Sequence, residues 1–337
     1  MTLPLLTVRQ EGLFCPLGGF YIDPLKPVGT AVLTHAHGDH CRQGMGSYLC
    51  HDDSVGIVRS RLPSAKDSVR SVPYDESLKI GDVNVTLFPA GHILGSAQVL
   101  IEHEGVRWLV SGDYKRQADP TTPAYRVVPC DVFVTEATFG LPIYRWPDTE
   151  IILDQIVDWW EKAALKSSTA ILYAYSLGKT QRILFELADR YGDKLPGPVV
   201  LHPAAAELTQ IYSETLNKDI SFKTCESGHK LLDQKNALVI APPSAEGGKW
   251  IKSFGKAQDA LASGWMTLRG SRRRRGVDQG FIISDHADWD GLIETCRASE
   301  ASKIFVTHGY DDSLARFLNE AGVDATPLGN LYEGGGD

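Results

Sequence analysis

The sequence predicts an α/β protein in which a strand-rich domain is interrupted by a doubly wound α/β domain. Three observations carry that expectation. Short apolar runs separated by turns fill the first third. From about residue 147, strands alternate with amphipathic helices. After about residue 280 the opening style returns, and apolar runs again lead into histidines. Strands that alternate with helices build parallel sheets, whereas strands joined by short turns build meanders.

Taken in order, 30–35 (TAVLTH), 83–92 (VNVTLFPAGH), 98–113 (QVLIEHEGVRWLVSGD) and 131–140 (DVFVTEATFG) read as strands. Glu104-Gly105 divides the third into a hairpin, since a two-residue turn favours glycine where φ must be positive. Residues 147–165 place Ile152, Ile156, Trp159, Trp160 and Ala163 at helical spacing behind Asp148, a suitable N-cap. A strand at 169–175, a helix at 179–192, a strand at 198–202, a helix at 203–216 and a strand at 237–244 follow. The segments 280–288 and 303–310 close the pattern, carrying His286 and His308. Loops after strands are where rigid scaffolds hold reactive side chains.

A chain of 337 residues is long enough for two cores, and 43% hydrophobic with 23% charged residues excludes a disordered chain. The formal charge of −8 excludes a protein that coats nucleic acid over its whole surface, but leaves room for a local basic groove. Six scattered cysteines without a Cys-x-x-Cys pair point to reduced thiols. The amino terminus lacks the basic-then-apolar layout of a signal peptide, and no apolar run approaches the ~20 residues of a membrane span. The expectation is a cytoplasmic protein with no membrane partner.

The most informative stretch is 33–40, LTHAHGDH. Three of the chain's ten histidines and an aspartate crowd into it. Alternate positions let His35 and His37 converge where the backbone turns, and Asp39 and His40 add two donors. Imidazole and carboxylate suit zinc and its first-row neighbours, and a carboxylate can bridge two ions. Further donors stand at other strand ends: His92 in AGHILGS, Asp113 in SGDY and His308 in VTHGY. A lone histidine is more often structural. Three strand-end donors beside such a cluster favour one site assembled from distant parts of the chain.

The ordered series H-x-H-x-D-H, G-H-x-x-G-S, S-G-D and T-H-G resembles the metallo-β-lactamase fold. That resemblance implies an αββα sandwich with a two-metal site at one edge. It assigns His35, His37 and His92 to one ion, Asp39, His40 and His308 to the other, and Asp113 to both. Asp23, in YIDP, matches the aspartate that supports this site from behind the ligands; a plain turn aspartate is the alternative. The implied cofactors are two divalent metal ions, zinc first, with manganese or iron as alternatives.

Glu136 in TEATFG, His286 in SDHAD and the late His308 resemble the three extra motifs of the β-CASP branch, the nucleic-acid-processing nucleases of this fold. The resemblance implies a metallo-β-lactamase domain over 1–145, an inserted β-CASP domain over 146–275 and a return over 276–337. It implies catalytic roles for Asp39, His286 and Glu136, with His286 stabilising phosphoryl charge or protonating the leaving oxygen and Glu136 orienting a histidine. Asp285 and Asp288 are expected to support them.

Residues 174–181, AYSLGKTQ, mimic a nucleotide-binding P-loop, but Tyr173 stands where that loop needs its first glycine. A strand-to-helix turn still offers N–H groups to an anion, and Lys179 adds charge. A similar stretch in related DNA-repair nucleases lies by the pocket for a terminal 5′ phosphate, which makes Ser176, Gly178 and Lys179 candidates; an ordinary helix start is the alternative. Arg272, Arg273, Arg274 and Arg275, in RGSRRRRG, are candidates for phosphate-backbone binding. A solvated surface run is the alternative. Trp250 and Trp265 are expected in the core, and Cys41 as a small buried residue.

The overall pattern most resembles the bacterial DNA-ligase-associated exonuclease group. The implied activity is a two-metal 5′-to-3′ exonuclease on single-stranded DNA in DNA repair, with a DNA ligase and a helicase as partners in the pathway. His308 is a feature of RNA-processing members, so a ribonuclease is the alternative. A thioester or lactone hydrolase and a binding protein with a decayed metal site are the remaining readings.

Overall fold

The computed structural model describes residues 4–225, 236–268, 270 and 276–329. Contacts divide the chain into two units. One comprises Met1–Ala118, Thr122–Tyr144 and His286–Gly336, the other Asp119–Thr121 and Arg145–Asp285.

The first unit holds two sheets. One runs in sequence order through Thr7–Arg9, Gly12–Cys15, Phe20–Ile22, Thr30–Val32, Ser47–His51 and Val69–Val72. The other has the order Ala325–Pro327, Lys303–Thr307, Val132–Glu136, Val106–Val110, Ala97–His103, Val83–Pro89 and Ser77–Ile80. Its antiparallel half is a meander whose hairpin pairs His103 with Val106 and turns at Glu104 and Gly105, with φ of 48° and 81°. Positive φ at both residues matches the twist of the flanking strands. Its parallel half pairs Val132–Glu136 with Lys303–Thr307, so one sheet joins strands from before and after the second unit's main segment.

Alternating apolar positions explain the layers. Val83, Val85, Leu87, Val99 and Ile101 share a core with Leu13, Phe20, Ile22, Val32 and Leu49 of the first sheet. Leu100, Leu109, Phe133, Ile304 and Val306 instead pack with Leu292, Ile293 and Cys296 of the helix Trp289–Ala298 and with Leu314 and Leu318 of the helix Asp311–Glu320. Each fully buried Val, Leu or Ile contributes about 1.5–3 kcal/mol. Burial on both faces therefore offsets the strained, polar strand ends that form the site, where an unusual backbone conformation costs about 1–3 kcal/mol.

The second unit is an all-parallel sheet in the order Lys223–Thr224, Val199–Leu201, Leu238–Ala241, Thr169–Tyr173, Ala257–Ala262 and Gln279–Phe281. Ala170, Leu172, Leu201 and Ile240 cluster with the helices Thr149–Leu165 and Lys179–Tyr191. Ile171, Tyr173, Val200 and Val239 cluster with Phe254 and Met266, and the half-buried Trp250 and Trp265 pack against them. Both faces are covered, as parallel sheets require. Asp148 occupies the N-cap position of its helix without a side-chain capping bond; its carbonyl accepts from the Ile151 N–H. The return to the first unit falls at His286 rather than 276, because Gln279–Phe281 pairs with Ala257–Ala262 and so stays in the second unit's sheet. Among the described residues no helix is long and apolar enough to cross a membrane.

Candidate metal centre

The strands ending at Pro89, Val110, Glu136 and Thr307 finish at one edge of the second sheet. Glu136 is itself a strand end, and the loops beyond the other three carry His92, Asp113 and His308. His35, His37, Asp39 and His40 follow the strand Thr30–Val32 of the first sheet. The Ala97 N–H donates to the Thr34 carbonyl at 2.7 Å and ties their loop to the same edge.

Two donor groups result. In one, His35 Nε2 lies 3.1 Å from His37 Nδ1 and 3.6 Å from Asp113 Oδ2, while His92 Nε2 lies 3.0 Å from His37 Nδ1 and 3.9 Å from Asp113 Oδ2. Four donors bonded tetrahedrally at about 2.0–2.1 Å stand roughly 3.4 Å apart, so these separations suit a single first-row divalent ion. In the other, His40 Nε2 lies 3.7 Å from Asp39 Oδ2 and 3.5 Å from Asp113 Oδ2, and His308 completes a cluster with Asp39 and His40. Asp113 Oδ2 belongs to both sets of contacts. Its other oxygen, Oδ1, is buried with no hydrogen-bond partner, an arrangement that costs free energy unless a cation compensates it. A void of about 10 Å³ lies among Asp23, His40, Asp113, Glu136 and His308. The donor set fits divalent metal ions.

Residues behind the donors fix their aim. Asp23 accepts from the Thr34 N–H at 2.8 Å and the Thr34 hydroxyl at 2.5 Å, and its Oδ2 lies 2.8 Å from His40 Nδ1. Because the Thr34 hydroxyl donates to Asp23, it accepts from His35 Nδ1 at 3.0 Å. Both imidazoles then carry their proton on Nδ1 and present a lone pair on Nε2. Ser96 holds the third: its Oγ accepts from the backbone N–H groups of His92 and Ile93 at 3.0 and 3.2 Å. Asp23 and His308 themselves adopt left-handed φ, 43° and 63°. Such strain concentrates at functional sites. Gly112, with φ 56°, lets the Asp113 loop close on Thr34; a Cβ there would stand 2.5 Å from the Thr34 Cβ.

Burial lowers the His35 and His308 pKa values and keeps both imidazoles neutral, as ligands must be. Burial also opposes charge on His40, yet Asp113 and Asp23 together hold its pKa well above the ordinary value. Burial likewise works against the Asp113 carboxylate, but His40 and then His35 keep it well below the usual range.

Beside these donors, His286 Nδ1 lies 2.9 Å from Glu136 Oε2, and its ring centroid stands 4.6 Å from that of His92. Glu136 also accepts from the N–H groups of Tyr114 at 2.8 Å and Thr138 at 3.3 Å. A carboxylate so held is an anchor, and the histidine it orients points its Nε2 elsewhere.

A protein of Opitutus terrae named "Probable DNA ligase" is 31% identical over 326 residues, 95% of this chain and 31% of that protein. Cleavage and polyadenylation specificity factor 73 of Drosophila melanogaster is 24% identical over 345 residues, 86% of this chain and 49% of that protein. Endoribonuclease YSH1 of Saccharomyces cerevisiae is 28% identical over 179 residues, 49% of this chain and 23% of that protein. The chain belongs to the β-CASP metallo-β-lactamase family. It spans about half or less of the length of each of these relatives. No protein-family model matches it.

The remaining β-CASP candidates fall elsewhere. Asp288 caps the helix Trp289–Ala298 by accepting from the Gly291 N–H at 2.9 Å. Asp285 belongs to the second unit, where its Oδ1 lies 3.4 Å from Arg182 Nη1. Neither is among the donor clusters. Ser176, Gly178 and Lys179 also belong to the second unit. Gly178, with φ 90°, donates its N–H to Gln181 Oε1 at 2.8 Å, and Lys179 is fully buried with its ammonium 5.4 Å from the Tyr175 ring centroid. Arg272, Arg273, Arg274 and Arg275 lie outside the described residues. One support, Thr34, goes unmarked in the sequence, signalled only by preceding His35.

Proposed function

We propose that the chain is a two-metal phosphodiesterase of the αββα type, acting as a 5′-to-3′ exonuclease on single-stranded DNA. The carrying observation is the shared carboxylate: Asp113 Oδ2 lies within 3.9 Å of His35, His40 and His92 Nε2, with the Glu136–His286 pair adjoining. Two divalent ions, zinc first, held by His35, His37, His92 and Asp113 and by Asp39, His40, His308 and Asp113, would activate water and offset phosphoryl charge.

The chain's own residues do the rest. Asp23 and Thr34 hold the imidazoles, and Glu136 holds His286 so that its Nε2 faces the substrate. Hydrolysis adds a water hydroxyl to phosphorus, with its second proton passing to solvent. The bond from phosphorus to the leaving sugar oxygen breaks, and that oxygen takes a proton from doubly protonated His286, which solvent restores. Ser176, Gly178 and Lys179 are proposed near a terminal phosphate, and Arg272, Arg273, Arg274 and Arg275 along the strand.

DNA is favoured by the relative matched across 95% of the chain, whose name is that of a ligase. A ligase and a helicase in a cytoplasmic repair route are the proposed partners. The endoribonuclease relatives support RNA as the second reading, together with His308, whose ring stacks 5.3 Å from that of His40.

Four end-labelled substrates test this: single-stranded DNA and RNA, each with a 5′ phosphate or a 5′ hydroxyl. Asp39→Ala/His40→Ala protein serves as the control. Stepwise loss of nucleotides from 5′-phosphorylated DNA alone supports the first reading. Preferential RNA cleavage moves the chain to the second, and no control-sensitive cleavage sinks both.

A further inference from the structure

Arg182, on the helix Lys179–Tyr191, is 1% exposed, and its guanidinium gathers partners from separate stretches of the second unit. Nε lies 3.2 Å from Glu186 Oε1 on the same helix and 3.9 Å from Asp119 Oδ2. Nη2 donates to Thr149 Oγ1 at 2.9 Å. Nη1 donates to the Ser284 carbonyl at 2.5 Å and lies 3.4 Å from Asp285 Oδ1. Asp119, Thr149 and Ser284–Asp285 stand in or near the three places where the second unit's chain begins or ends. One planar cation therefore pins all three.

The third attachment bears on chemistry, because His286 is the next residue. Residues 282–286 lie outside helix and strand, so no ladder of backbone hydrogen bonds fixes them. The chain on the other side of His286 is fixed by the Ala287 N–H, which donates to the Tyr114 carbonyl at 2.6 Å. Tyr114 N–H in turn donates to Glu136, the partner of His286. Ahead of the imidazole, Arg182 holds Ser284 and Asp285.

We propose that Arg182 is a positioning residue for His286: by holding the Ser284 carbonyl and the Asp285 carboxylate it sets the backbone that aims Nε2 at the leaving oxygen. The inference rests on the acid role given to His286 above. Lysine preserves the charge but not the rigid fork that serves several acceptors at once. A misplacement of about 1 Å costs on the order of 100-fold in rate.

The test uses the full, metal-loaded chain and the nucleic acid that the wild type cleaves fastest, alongside the same oligonucleotide with sulfur at the leaving position. Thiolate departs without a proton, so a misaimed acid harms only the oxygen substrate. Arg182→Lys and Asp285→Asn are expected to lower kcat on the oxygen substrate by about 10–100-fold, with KM and metal content unchanged and the sulfur substrate little affected. Glu186→Gln removes a partner of Arg182 that lies on its own helix; it is expected to lower melting temperature while leaving the oxygen-to-sulfur ratio as in the wild type. Equal losses on both substrates for Arg182→Lys and Asp285→Asn would overturn the proposal, as would a changed ratio in Glu186→Gln. If Arg182→Lys does not fold, Asp285→Asn decides. Wild-type protein inert on both substrates would instead overturn the phosphodiesterase reading itself.

Discussion

Asp23 Oδ2 stands 2.8 Å from His40 Nδ1 and accepts the Thr34 hydroxyl at 2.5 Å, so one carboxylate aims two donor histidines, His40 directly and His35 through Thr34. Both Asp23 oxygens are engaged, since Oδ1 accepts from the Thr34 N–H at 2.8 Å. The first sheet supplies this support and the second sheet supplies His92, Asp113 and His308, which makes the candidate metal centre a joint between the sheets.

Asp23→Ala is therefore expected to weaken metal binding by about 10–100-fold, the usual cost of losing a carboxylate behind a histidine ligand. Competition with a coloured chelator reads this directly. Unchanged affinity would mean that packing alone orients His35 and His40.

Metal binding is expected to release a proton near pH 7. Asp113 and Asp23 overcome burial to keep metal-free His40 charged above its ordinary range, whereas a ligand needs a bare Nε2. Burial already leaves His35 and His308 neutral, so they release none. His40 has a raised folded pKa, so its contribution to the metal-free protein is fully present below the unfolded value of about 6.5. It fades as pH rises through the folded value. Asp113 has a depressed folded pKa; its contribution is present above the unfolded value and fades as pH falls through the folded one. Metal-free protein should thus lose melting temperature as pH climbs above 7, while metal affinity increases. Calorimetric titration in two buffers of different ionisation enthalpy counts the proton, and identical heats would refute its release.

Gly309→Ala is expected to cost about 1–3 kcal/mol in urea unfolding and to disturb His308. Gly309 has φ 61°, and a Cβ there would stand 2.5 Å from the Ala137 carbonyl oxygen and from the Thr138 Cα. Both obstacles are backbone of the segment just after Glu136, so neither can swing aside. A stability matching that of wild type would show that the His308 turn is not locked.

How much of this was legible depended on where each residue's signal lay. His35, His37, Asp39, His40, His92 and Asp113 were legible because donors at strand ends stand out against a chain with few histidines. The hairpin at Glu104-Gly105 was legible from local turn chemistry. The boundary at His286 was not, since Gln279–Phe281 resembles other short strands and only long-range pairing assigns it to a sheet. Asp288 caps its helix by accepting from the Gly291 N–H, a local bond that its spacing permits and that its motif does not announce. Arg182 carries no local mark, because its partners come from residues 119, 149, 186, 284 and 285.

Thiol labelling gives a check independent of activity. Cys15, Cys41, Cys50, Cys130 and Cys296 are buried, and Cys225 is half-buried. Burial pushes the thiols of Cys41, Cys50, Cys130 and Cys296 up to about 12. Thiolate is the reactive form. At pH 8 the native protein should give one fast-reacting thiol, Cys225, and six after denaturation; rapid reaction of Cys41 would place the His40 loop in a more open state.

The Glu136–His286 pair predicts non-additive kinetics. Glu136 accepts from His286 Nδ1 and from the N–H groups of Tyr114 and Thr138, so its carboxylate fixes the imidazole against two points of backbone. Removing the imidazole leaves Glu136 nothing to aim, and removing the carboxylate leaves the imidazole present but turned. Glu136→Gln keeps the shape but replaces one accepting oxygen with a donor, so it cannot reproduce all these contacts. Each single variant, Glu136→Gln and His286→Ala, should lower kcat by about 100–10,000-fold, the range of a positioned acid or base. The double variant should fall no further than the worse single one, because residues that act as a unit are lost together. Multiplicative losses in the double variant would mean that Glu136 acts on the reaction by a route other than His286, with a direct hold on the metal centre through Asp113 the first alternative, since Asp113, Glu136 and His286 form one cluster of donor atoms.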